Sequence, residues 1–420
     1  MVSTSPTFKP TPSAAAQGAA APTVRDIRLD FFRGMAMFII LFAHTPGNFL
    51  TAWIPARWGF SDATEMFVFC SGMASAIAFG RTFDRAGIGL GSVRVGYRIW
   101  QVYWAHVGLF FATAALLVFL TDLPFTDRNY WGQMNLWMLF VEHQDDLWAN
   151  PDMLFRFMTL QWVPNLFDIL PMYMVILAMM PVYYALARVH LGALAAVSLI
   201  LWFFAQRGFT EALGLPYLNF TAEPWVGSDD WQRRWFLNPF GWQLVFFTGF
   251  AFMRGWIPKP PVNALLIGLA AFIVLANIPL SSIGVREFGF DWARDWRIEN
   301  RQLISKTDFG ILRYVQFLSL AYLAWVIAGD GGDRLRAGAG WVGRNLWAPL
   351  LNTFLKVGQQ SLAVFVVSIF IARFNGFAMD VLGRDVAMTL LVNGFGCAVL
   401  ILTAYAASYF KGQPWRVKNK

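Results

Sequence analysis

Cysteine is nearly absent. The chain has two in 420 residues, Cys70 and Cys397. Both sit inside apolar runs with no CxxC and no metal-ligand spacing, which excludes a disulfide framework or a zinc site; both are expected to be packing residues. Charge is scarce too, at 14% of residues against 57% hydrophobic, and the mean hydropathy is +0.48. A soluble core cannot hide that much apolar surface, so lipid must serve as solvent. The net charge of +8 is then first a topology signal rather than a nucleic-acid footprint, and no nucleic-acid partner is expected. Histidine is limited to four positions, 44, 106, 143 and 190. Residues 1–24, rich in Ala, Pro, Ser and Thr, lack the apolar stretch of a signal peptide and are expected to form a disordered tail.

What is abundant is apolar length and aromatic rings. With about 20 apolar residues needed per bilayer crossing, ten spans are expected: 29–50, 63–80, 99–121, 166–187, 190–206, 239–256, 262–281, 309–328, 352–374 and 385–409. The expected fold class is therefore all-α, a polytopic transmembrane helical bundle occupying residues 25–410. It is followed by a basic tail over 411–420. Ten spans put both termini on one side, and the excess of Lys and Arg on that side makes it the cytoplasm of a bacterial inner membrane. The long loops on the opposite face, 122–165, 207–238 and 282–308, carry Trp131, Trp137, Trp148, Trp162, Trp225, Trp231, Trp235, Trp292 and Trp296. That face is where a large partner would dock.

The first span carries the chemistry. Arg33 and His44 stand 11 residues apart, which places them about 20° apart around a helix and about 16 Å apart along it. Asp30, Arg33 and His44 thus form a one-sided ladder facing one interior groove, and ionisable groups at membrane depth are functional candidates by default. The plainer alternative is a packing histidine with an arginine snorkelling to head groups.

These residues resemble a known family. The arginine, glycine and apolar run to His44 are similar to the R-x10-H signature of the acyltransferase-3 superfamily. More narrowly, Arg25-Asp26-Ile27-Arg28-Leu29-Asp30, then Gly59-Phe60-Ser61-Asp62-Ala63 leading through Glu65 to Phe67-Val68-Phe69-Cys70-Ser71-Gly72, resemble the OpgC family, which succinylates osmoregulated periplasmic glucans. Further likenesses are Asp168 to Tyr173, Asn238 to Gln243, and Lys306 through Arg313 to Ala321. They cover nearly the whole chain after residue 24. One departure is Gln316, where the family pattern would place a histidine.

The resemblance implies an O-acyltransferase that uses succinyl-CoA as a cytosolic co-substrate, with no tightly bound cofactor and no metal, and a periplasmic glucan as acceptor. The chemistry agrees: transfer from a thioester to a sugar hydroxyl needs a base with a pKa near the working pH. His44 is that candidate, with His106 a weaker one, and Asp168 at the outer start of the fourth span is expected to hold its ring in one tautomer. Asp168 could equally be a helix N-cap. Arg25, Arg28, Arg33, Arg81, Arg94 and Arg98 form the expected cytosolic seat for the phosphates of the donor, although the positive-inside rule alone would also put them there. Asp30, Glu65 and Ser71 are expected to line the groove, Gln243 to donate hydrogen bonds to the acyl carbonyl, and Lys306 with Arg313 to grip the free carboxylate of a dicarboxylic acyl group. Ordinary helix packing competes for Ser71 and Gln243, and a pairing with Asp308 for the two cations. Acetyl or other acyl transfer to an envelope polysaccharide is the alternative within the class. A transporter or flippase is the alternative outside it, though no inverted repeat is visible.

Overall fold

The computed structural model describes residues 26–134, 136–143, 146–149, 151–222 and 233–415. Arg25, the tail before it, Trp225 and Trp231 lie outside the described residues. Eleven helices build the body: α1 Arg28–His44, α2 Ala63–Ser75, α3 Arg81–Thr121, α4 Ile169–Val189, α5 Leu191–Phe204, α6 Pro239–Arg254, α7 Ala264–Ala276, α8 Ile311–Ala328, α9 Ala348–Gln359, α10 Ser361–Leu382 and α11 Val386–Lys411. Two small hairpins, Phe140–His143 with Asp146–Ala149 and Thr221–Ala222 with Arg233–Arg234, are the β structure among the described residues.

Among the described residues, five helical stretches are long and apolar enough to cross a membrane: Ala63–Thr121, Ile169–Val189, Ile311–Ala328, Ser361–Leu382 and Val386–Lys411. The apolar surface is turned outward in the way lipid demands. In α7 the one buried residue is Ala270, while Leu265 and Phe272 stand open; in α5 only Leu194 and Ser198 are buried. The chain is a multi-pass membrane protein.

Two boundaries differ from the sequence reading. Residues 81–98, expected as a connecting loop, are helical, and the chain doubles back inside them. Gly87 has φ +78°, and Thr82 hydrogen-bonds Arg94, a pair that a straight helix would hold about 18 Å apart. Only glycine takes that backbone conformation without strain. The ninth expected span, 352–374, is cut at Gln360, where α9 ends and α10 begins. The polar run Gln359-Gln360-Ser361 marks the break.

Close backbone approach fixes the helices that carry the site. A Cβ on Gly34 would lie 2.1 Å from the carbonyl oxygen of Phe354, and one on Gly358 would lie 1.8 Å from that of Asp30, so α1 and α9 interlock through reciprocal glycines. Gly72 against the Phe246 carbonyl and Gly249 against that of Phe69 repeat the device between α2 and α6. Small residues let membrane helices pack at van der Waals distance where no hydrophobic drive exists between them. Ser71, next to Gly72, is buried.

Candidate active site

At the C-terminal end of α1, four charged residues from distant parts of the chain interlock. Asp62 and Glu65 form a capping box at the start of α2: the Asp62 side chain accepts from the Thr64 N–H at 2.6 Å, and Glu65 Oε2 accepts from the Asp62 N–H at 2.8 Å. Each carboxylate then takes a cation. Lys306 Nζ lies 2.6 Å from Asp62 Oδ2, and Arg313 donates to Glu65 Oε1 through Nε at 2.8 Å and Nη2 at 2.5 Å. Burial works to raise the Asp62 carboxyl, but the charges of Lys306 and Arg313 outweigh it and hold the group far below the usual carboxylate range. Lys306 and Arg313 thus pair with Asp62 and Glu65 rather than with Asp308. Asp308 instead accepts from the Tyr217 hydroxyl at 2.6 Å. Glu65, fully buried, belongs to this lattice rather than to an open groove wall.

His44 lies within electrostatic range of the same cluster. The charges that act most strongly on its ring are those of Arg373, Lys306 and Asp62. Its Nδ1 lies 2.8 Å from the Ile40 carbonyl oxygen, one turn back on α1. A carbonyl only accepts, so Nδ1 carries a proton and, in the neutral ring, Nε2 keeps its lone pair. The backbone of α1 thus holds the Nδ1 side of the ring. Asp168 precedes α4 and makes no side-chain capping bond to it. The guanidinium of Arg373, on α10, donates to the His44 carbonyl and ties the end of α1 to α10.

Gln316 does structural work in place of the histidine expected there. Its Oε1 accepts from the Phe60 N–H at 2.8 Å and the Ser61 N–H at 2.7 Å, pinning the segment that delivers Asp62. A Cβ on Gly59 would come within 1.7 Å of its Nε2. Gln316→Ala would strand two buried donors at about 1–3 kcal/mol each. A clear fall in melting temperature of the detergent-solubilised protein is expected, and an unchanged melt would show that water replaces the amide.

The other end of α1 holds a second polar centre. Arg33 donates from Nη2 to the Ser361 hydroxyl, while its Nε is buried without a partner. Beside it opens a pocket of about 430 Å³ lined by Asp30, Arg33, Gln359, Gln360, Ser408 and Lys411. Of the other arginines expected with Arg33, Arg98 is close enough to act on it electrostatically. Arg28 is taken by Asp26 at 2.6 Å and by the Gly329 carbonyl at 2.9 Å, and lies over the Trp325 ring. Arg94 bonds Thr82 and covers Phe79, and Arg81 is exposed, so neither lines the pocket.

The two ends do not share an open groove among the described residues. Met37 and Leu41, between Arg33 and His44, are fully buried, and Ile40 is nearly so. Periodicity placed the ladder on one face but could not see that neighbouring helices fill it. Gln243 is also withdrawn from the chemistry: it accepts from Tyr183 and Ser198 and donates to the Ser198 and Phe240 carbonyls, bolting α4, α5 and α6 together. His106 is enclosed by Phe157 and Phe167 with neither ring nitrogen bonded, a poor place for a base that must meet a hydroxyl. Trp162 and Trp235 are buried, whereas Trp292 is exposed, so only part of the expected tryptophan surface is available to a partner.

This arrangement, with a histidine of fixed tautomer at one end of the first helix and an arginine-lined pocket at the other, coincides with a family-level match. A family model described as OpgC protein covers residues 25–412. The chain belongs to the OpgC family. Membership points to a glucan-modifying acyltransferase and agrees with the apolar helices of a membrane enzyme. No curated protein and no solved structure matches the chain. The family motif does contain Asp62, which the residue-level reading passed over, and its spacing to Glu65 was the legible sign of a capping box. Gln359, Gln360, Ser408 and Arg373 left weaker signs, each a polar residue within or at the end of an apolar run.

Proposed function

We propose that this OpgC-family protein is an inner-membrane O-acyltransferase that moves a succinyl group from cytosolic succinyl-CoA to hydroxyls of a periplasmic glucan. In this reading ten helices cross the bilayer, with both termini and the Arg33 pocket cytosolic and His44 toward the periplasm. The observation that carries it is the His44 ring, whose Nδ1 proton is committed to Ile40 and whose Nε2 keeps its lone pair beside a charged cluster. Nε2 takes the proton of the sugar hydroxyl as its oxygen bonds to the thioester carbonyl carbon. The carbon–sulfur bond then breaks, and the CoA sulfur leaves with the proton returned through the imidazolium. The nearby charges of Arg373 and Lys306 favour the oxyanion formed on the way.

For donor held near Arg33 to reach His44, the Met37 side chain between them must swing aside. Its unbranched, three-bond stem suits that role. The test is mass spectrometry of periplasmic glucans from cells with and without the protein. Glucans carrying succinyl groups only when the protein is present are expected. Identical glucans in both would end the proposal, and acetyl in place of succinyl would correct the donor.

A further inference from the structure

We infer that the pocket walled by α1, the α9–α10 junction and the end of α11 is the seat for a phosphate group of the acyl donor, with Gln360, Ser408 and Lys411 as binding residues beside Arg33. The inference rests on the acyltransferase reading and adds to it where the donor's anionic part is held.

Size is the first argument. About 430 Å³ falls within the usual range of small-molecule sites, whereas a lone structural water would need a tenth of that or less. Charge is the second. Arg33 and Lys411 bring two cations to the wall and Asp30 one carboxylate, leaving a net positive lining, and Arg98 lies close enough to act on Arg33. Hydrogen-bond supply is the third. The buried Nε–H of Arg33 has no acceptor in the protein, and buried polar groups are rarely left so without a reason. Ser408 accepts from Lys356 Nζ at 3.0 Å, which leaves the hydroxyl proton of Ser408 to donate elsewhere, and Ser408 lines the pocket. Gln359 makes only a long 3.4 Å contact with Asp30 Oδ2. An excess of donors around a net positive cavity selects a group made of acceptor oxygens, and phosphate is the one a CoA thioester carries.

The phosphate of an anionic lipid headgroup has the same chemistry, so the test must separate the two sources. The full-length protein is placed in nanodiscs of phosphatidylcholine alone, and CoA without an acyl group is titrated by calorimetry. Wild type is expected to bind. Lys411→Glu, at an exposed position that does not threaten folding, should weaken CoA at least tenfold, and Gln360→Ala several-fold. Arg344→Gln, exposed and outside the pocket, should bind within twofold of wild type. Binding insensitive to both pocket variants would overturn the pocket assignment alone. Failure of wild type to bind CoA would overturn the donor in the acyltransferase reading as well. CoA affinity that falls in proportion to added phosphatidylglycerol would make this a lipid headgroup site and overturn the assignment to donor.

Discussion

His44→Ala should abolish acyl transfer while the protein stays folded. Removing a general base costs about 10²- to 10⁴-fold in rate, and the structural cost is small because the ring's hydrogen bond runs to its own helix, at Ile40, and the side chain is only partly buried. Arg373 reaches the His44 backbone carbonyl, which alanine retains, so the tie between α1 and α10 survives. Acylated glucan per molecule of membrane-inserted protein is the measurement, with the melting temperature beside it. Wild-type acylation in the variant would remove His44 from the chemistry. A collapsed melt would instead identify the ring as a packing element, the plainer reading that periodicity also allows. Because the Ile40 carbonyl already holds Nδ1, Asp168→Asn should leave the rate within a few-fold of wild type, and a loss matching that of His44→Ala would show that the carboxylate acts on the ring as well.

Legibility in the sequence followed the range of the interaction. The helices and their apolar faces could be read because lipid imposes one local rule on every residue of a span, and the family motifs ran from one end of the body to the other. The breaks at Gly87 and Gln360 were missed for opposite reasons. Gly87 lies in a glycine-rich stretch that looks like a loop yet folds as two helical pieces, while Gln359-Gln360-Ser361 interrupts an apolar run too briefly to lower its average hydropathy. The partners of Lys306 and Arg313 were beyond local reading altogether: Asp62 and Glu65 stand more than 240 residues away, and the plainer alternative that short range offered was the near carboxylate Asp308. The ladder on α1 was placed correctly around the helix, but whether its face is open or filled depends on the helices packed against it, and Met37 fills it.

The Glu65–Arg313 pair should prove the most sensitive structural point of the molecule. Glu65 is wholly enclosed and Arg313 nearly so, with two hydrogen bonds between them and Asp62 3.7 Å from the same guanidinium. Two buried charges attract strongly in a low dielectric, but that attraction mainly repays the cost of removing both from water. Breaking the pair is therefore far more damaging than its net worth suggests. Arg313→Met leaves the Glu65 carboxylate enclosed with the Asp62 N–H as its donor, and a loss of about 3–5 kcal/mol is expected. Glu65→Leu leaves the arginine near Asp62, which already serves Lys306, and also removes half of the capping box, a further cost of about 1 kcal/mol. Replacing both residues removes both buried charges at once. The double variant Glu65→Leu with Arg313→Met should thus melt above either single variant, short of wild type by roughly the lost cap. Thermal unfolding of the four proteins in detergent decides the matter as a double-mutant cycle. Additive losses would mean that the two side chains are not coupled and that the cluster beside His44 is held by the Asp62–Lys306 pair alone. A double variant that melts like wild type yet transfers no acyl group would show that the charges are kept for the reaction rather than for the fold.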